Sequence, residues 1–123
     1  MMTTSNTPIP SWLAIAAEEI QAIMKCWGCT TLSSLHKNGI VDYKTLKKLN
    51  PANPDPSLEA STAQKLLVKL YLVAGEMLEG ERLMLTQARI TQSLMKVAAA
   101  AMELTEKDKA NIEKRKRINS HKF

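Results

Sequence analysis

From residue 63 to residue 102 the chain places apolar side chains at steps of three and four, and this periodicity constrains the fold more than any other feature. Ala63, Leu67, Leu70, Ala74 and Met77 follow one line of a helix, widened by Leu66 and Val73. Beyond Gly80 the stepping resumes through Met84, Ala88, Thr91, Met95, Ala98 and Met102, while a second line runs through Leu83, Ile90, Leu94, Val97, Ala101 and Leu104. A helix over 81–104 is therefore apolar across a wide arc and needs cover from two sides. Gly75 and Gly80 each cost about 1 kcal/mol relative to Ala inside a helix, so the pattern is expected to divide into two helices near Gly80. The small residues Ala98 to Ala101 would let a neighbouring helix come close, from this chain or from a second copy.

Composition extends the helical reading to the whole chain. Only 4% of the 123 residues are aromatic and four are glycine, while Leu, Ala, Met, Lys and Glu dominate. β-branched residues are scattered, and no segment alternates apolar and polar with a period of two. The expectation is an all-α protein, a small helical bundle of about five to six helices with a basic C-terminal helical tail. Three regions follow: a disordered leader over 1–10, a bundle over 11–104 and a tail over 105–123.

Local signals place the other helices. Ser11 follows Pro10 and reads as the N-cap of a first helix whose inner face carries Leu13, Ala16, Ile20, Ile23, Met24 and Trp27, with Glu18, Glu19, Gln21 and Lys25 off that face and Gly28 as the stop. Leu32 and Leu35 belong to a short helix stopped by Asn38 and Gly39; Asp42 caps another through Leu49, with Leu46 and Leu49 facing inward. Pro51, Pro54 and Pro56 make 50–56 a loop, and Asp55 followed by Pro56 reads as the next helix start. Thr105, with Asp108 three residues on, resembles a capping box for a last helix from Glu106 to about Ile118. Its only large apolar residues are Ile112 and Ile118, so it is expected to project into solvent.

No apolar run, Leu70 to Ala74 among them, approaches the ~20 residues that span a membrane. The first ten residues lack the positive and apolar regions of a secretory signal. We therefore expect no membrane association and an intracellular setting, cytoplasmic or, in a eukaryotic host, nuclear.

Catalytic patterns are absent: there is no G-x-S-x-G, no glycine-rich phosphate loop and no H-E-x-x-H, and neither histidine has an acid at helical spacing. The chain reads as non-enzymatic. Cys26 and Cys29 have the spacing of a redox pair or of half a zinc site. They fall at a helix end, however, where the dipole opposes a thiolate, and the other candidate metal ligands are His36 and the distant His121. Buried thiols are the expectation, with no metal and no cofactor.

Positive charge concentrates in two segments of a chain whose net charge is +5. Lys44, Lys47 and Lys48 cluster on the second short helix; Lys107, Lys114, Arg115, Lys116 and Arg117 crowd the tail. Lysine and arginine in such runs neutralise phosphates and release counterions. No aromatic residue interleaves the tail run, as base stacking would need. The expected function is an accessory subunit of a nucleoprotein assembly, in which these eight residues face a nucleic-acid backbone without reading sequence. Leu83, Met84, Ile90, Leu94, Met95, Val97, Ala98 and Met102 would meet a protein partner or a second copy. One alternative is an adaptor or oligomeric scaffold that binds no nucleic acid. Another is a regulator using Leu32 to Leu49 as a helix-turn-helix, which that segment resembles in outline.

Overall fold

The computed structural model describes residues 9–102 and 106–121, with side chains through 118. Among these there are six helices and no strand: α1 (Ser11–Trp27), α2 (Leu32–Gly39), α3 (Tyr43–Lys47), α4 (Ala60–Met77), α5 (Gly80–Ala101) and α6 (Glu106–His121). The protein is an all-α helical bundle. Of the proposed leader only Ile9 and Pro10 are described, and Leu104 and the Thr105 side of the capping box lie outside the described residues.

Helix α5 is the central element, packed on α1 along one side and on α4 along the other. It runs antiparallel to both. Gln87 Nε2 donates to Tyr71 O at 3.1 Å across the α4–α5 hairpin, while Arg82 donates to Trp27 O at 2.8 Å and Arg89 reaches Glu19 across the α1–α5 seam. Helices α2 and α3 pack together, with α2 against α4. The core joins Leu13, Ile20 and Ile23 of α1 to Leu35, Leu46, Leu67, Leu70, Ile90 and Val97 from the other elements. Each fully buried Leu, Ile or Val contributes roughly 1.5–3 kcal/mol of transfer free energy, which stabilises helices that would be marginal alone.

Several helix ends differ from the sequence expectation. Pro10 rather than Ser11 is the N-cap of α1; Ser11 is already helical and there is no side-chain cap bond. Asp55 does not start α4. Its Oδ1 accepts from Ser57 N at 2.9 Å, forming a turn, and α4 begins at Ala60. An Asx turn of this kind competes with helix initiation because the carboxylate satisfies the amide locally. The break between α4 and α5 falls where Gly80 suggests, with Leu78 and Glu79 between the two helices.

Gly39 does not stop α2. It is the last helical residue, and a Cβ there would lie 2.5 Å from Leu70 Cδ2, so glycine lets α2 approach α4. The left-handed cap falls instead to Ile40, at φ 53° and ψ 46°. At Gly28 (φ 93°) both demands meet, since the backbone is left-handed and Arg82 fills the space of a side chain while bonding Trp27 O.

Candidate nucleic-acid interface

The lysine cluster is positioned by a cap and a folded-back loop. Asp42 Oδ2 accepts from Thr45 N at 3.0 Å and from Thr45 Oγ1 at 2.9 Å, which fixes the start of α3. Those bonds, the backbone one first, hold the Asp42 carboxyl below its usual range. Buried Leu46 and Leu49 anchor the element and turn the intervening positions 47 and 48 outward. Asp55 N donates to Lys48 O at 3.0 Å and returns the 50–56 loop to the end of α3.

This arrangement gathers Lys44, Lys47, Lys48, Asn53 and Asp55 around a cleft of about 530 Å3. Lys44 and Lys47 are exposed and Lys48 is half-buried. None of the three forms an ion pair within 4 Å among the described residues. Asp55 is the acid in the lining; its hydrogen bonds to Ser57, backbone first, hold its carboxyl below the usual range, with a smaller effect from Lys48. The cleft is therefore cationic on balance, with an amide at its edge, a donor set that suits phosphate oxygens.

Tyr43 links the cluster to α2. Lys47 Nζ lies 5.1 Å from the Tyr43 ring centroid, and that ring meets His36 at 5.3 Å with a 44° tilt. Because a carbonyl can only accept, the 2.6 Å contact between His36 Nδ1 and Val41 O places the proton on Nδ1. Sequence spacing offered His36 only as a candidate metal ligand and did not show this bond, since its partner is a backbone carbonyl beyond the helix end.

The tail residues form a separate group on α6. Lys107, Lys114, Arg115, Lys116 and Arg117 are all exposed, as is every described side chain of that helix. Asn111, Lys114, Arg115 and Ile118 line a surface depression of about 510 Å3. Glu106 and Asp108 occupy the first turn and the basic run the later turns, the order that the helix dipole favours. Lys109 approaches Glu106 at 3.8 Å.

The eight residues expected at a protein interface separate into two sets. Ile90 and Val97 are fully buried in the molecule's own core, and Leu83 and Leu94 pack against it, so those four are structural first. The wide apolar arc made both lines of α5 resemble an outer surface, but α1 and α4 cover one of them. Met84, Met95 and Met102 remain 72%, 69% and 75% exposed, and Ala98 is half-buried. Met84 and Met95 share a face of α5, because a step of 11 residues returns to nearly the same angle on a helix, and Met102 follows at its C-cap. On α4, Val68 and Leu72 are also exposed.

Glu19, placed off the inner face by its position beside Ile20, is instead buried, with 5% exposure. It accepts from Ser93 Oγ at 2.7 Å, Arg89 Nη2 at 2.8 Å and Lys96 Nζ at 3.3 Å. Burial alone would raise its carboxyl; the bonds from Ser93 and Lys96 and the charges of Arg89 and Lys96 outweigh that and hold it below its usual range. The available signal was Arg89, Ser93 and Lys96 at steps of four and three, a polar line flanking the apolar one.

Cys26 is half-buried and Cys29 buried at the end of α1, both as free thiols. Among the described residues no group of three His, Cys, Asp or Glu side chains is placed to hold a metal ion, and no helix is long and apolar enough to cross a membrane. Comparison with known proteins finds no family model, no curated protein and no solved structure that matches this chain.

Proposed function

We propose that the protein is a non-enzymatic accessory subunit of a nucleoprotein assembly, binding nucleic-acid backbone through two basic elements and a partner chain through the exposed side of α5. The observation that carries this reading is the placement of Lys44, Lys47 and Lys48 around one surface cleft in which they outnumber the single acid, Asp55, and form no ion pair within 4 Å among the described residues. A cap, two buried leucines and a returning loop place the three along one surface. The α6 side chains Lys107, Lys114, Arg115, Lys116 and Arg117 supply a second cationic surface.

Backbone binding is favoured over sequence reading. Helix α3 has five residues, about 7.5 Å of rise, too little to present several side chains to base edges in a major groove. The helix-turn-helix reading of Leu32 to Leu49 is accordingly the least supported. An adaptor or scaffold that binds no nucleic acid is the second reading, favoured by one observation: Met84 and Met95 on α5 and Met102 at its C-cap leave flexible apolar side chains uncovered.

The test is binding of the full chain to labelled single- and double-stranded DNA and RNA at two salt concentrations, with light scattering on the same samples. The proposal expects salt-sensitive binding with little preference among sequences, weakened by Arg115→Glu with Arg117→Glu. Unchanged affinity in that variant would remove α6 from the interface. No binding by any form, from a defined oligomer, would favour the scaffold.

A further inference from the structure

We infer that the groove between the α2–α3 turn and α4 is a docking site for an acidic peptide segment of a partner protein that inserts one bulky apolar side chain. The inference begins at Ile40. Among the described residues it is the only non-glycine with positive φ, at 53°, and it is β-branched, the side-chain type least suited to that conformation. Asn or Gly is the usual occupant of a left-handed helix cap. Glycine does occur one position earlier, but there the close approach of Leu70 requires it, so the left-handed turn falls on position 40.

Packing within the chain does not offset this strain, because Ile40 is 59% exposed. A strained conformation held at an exposed apolar residue directs attention to what lies beside it. There, Ile40, Val41 and Leu66 border a groove of about 210 Å3. Lys65 and Lys69, one turn apart on α4, stand at its rim, exposed and without an ion-pair partner within 4 Å among the described residues. Asp42 is the one carboxylate in the lining; it bonds to Thr45 and keeps its charge, and the two lysines outnumber it.

Size and charge together identify the occupant. A volume of about 210 Å3 is below the usual ~300–1,000 Å3 of small-molecule sites, yet it admits a single large apolar side chain, the usual anchor of a peptide interface. Two free lysines beside an apolar floor complement carboxylates flanking that anchor. The lysine cleft on α3 differs in having no apolar side chain in its lining. A phosphate backbone has no apolar group to insert, so the two sites take different partners, and this inference stands apart from the nucleic-acid reading.

The test uses the full chain and fluorescein-labelled Glu-rich peptides of about twelve residues. One series carries a central Leu, Phe or Trp; matched peptides replace the anchor by Ser or each Glu by Lys. Saturable binding is expected only for the anchored acidic peptides, with amide chemical-shift changes centred on Ile40, Val41 and Leu66. Lys65→Glu with Lys69→Glu, and separately Ile40→Asn, should each weaken binding by about tenfold or more. Ile40→Asn should at the same time raise the melting temperature, separating lost docking from lost folding. The inference is overturned by no binding up to about 1 mM peptide, by equal binding of the Ser-anchored peptides, by wild-type affinity in both variants, or by shifts centred on Lys44, Lys47 and Lys48.

Discussion

Charge is handled in opposite ways at two places in this protein. At the α1–α5 seam the acid is inside: Glu19 is buried and its donors, Arg89, Ser93 and Lys96, come from one face of the facing helix. At the α3 cleft the cations are outside, and the nearest acids, Asp42 and Asp55, bond directly to Thr45 and Ser57 and meet Lys44 and Lys48 only through longer-range attraction. Desolvating a carboxylate costs several kcal/mol, so the seam is tolerable only because its three donors are supplied by the chain itself. The cleft escapes that cost by staying hydrated, and its lysines remain available to an external anion. A charge whose partner lies within the chain serves the fold; a charge whose partner does not is open to function.

The difference can be broken first on the structural side, with the apolar core as reference. Leu70 is fully buried and lies against Gly39, joining α4 to α2. Leu70→Ala should cost about 2–5 kcal/mol, read as a lower denaturant midpoint. Glu19→Ala should come next, at about 2–3 kcal/mol, below the ~3–5 of a fully buried pair because Arg89 and Lys96 are partly exposed and can turn to water. A loss under about 0.5 kcal/mol for Glu19→Ala would show that the seam is not held by its charge.

Acid should expose the same feature. Because the folded Glu19 carboxyl is held below its unfolded value of about 4.3, its contribution is complete above that pH and is lost as pH falls through the lower, folded value. Melting temperature should therefore be steady near neutrality and fall with acidification below about pH 4.5. In Glu19→Gln the fall should be shallower but not abolished, since Asp42 and Asp55 are shifted in the same direction. Identical pH profiles for the two proteins would refute the assignment.

A smaller effect, of opposite sign, is expected next to the seam. Thr86 is fully buried on α5 and its hydroxyl has no hydrogen-bond partner among the described residues. Thr86→Val keeps the shape and removes the unsatisfied group, so it should stabilise by about 1 kcal/mol. Destabilisation by as much would mean that the hydroxyl has a partner, such as an ordered water.

The sequence revealed the elements of this contrast unequally. The α4 and α5 helices were legible because Leu67, Leu70, Ala74, Ile90 and Val97 repeat at helical spacing, and apolar burial is a property of one helix face at a time. Glu19 was not, because its burial depends on three donors about 70 or more residues away, and no local pattern reports a partner that distant. Ile40 was hidden for a related reason. A left-handed cap is expected at Gly39, and only the packing of Leu70 against that glycine displaces the cap by one residue. The basic residues were evident as composition, but their convergence into a cleft depends on the returning Asp55.

The smallest expected change in stability is also the one that sharpens the comparison most. Replacing Lys44, Lys47 and Lys48 together by Ala removes three charges that hold no ion pair within 4 Å among the described residues, so the unfolding free energy should move by less than about 1 kcal/mol. The substitution also takes away the Lys47 ammonium from over the Tyr43 ring, an interaction worth about 0.5–1 kcal/mol at an exposed site and offset in part by the helix propensity of alanine. Nucleic-acid affinity should respond quite differently. If each lysine meets one phosphate, the slope of log K against log salt should fall by nearly three, uniformly across sequences. A clear loss of stability with an unchanged salt slope would reverse the assignment, making the cleft part of the scaffold, as the Glu19 seam is.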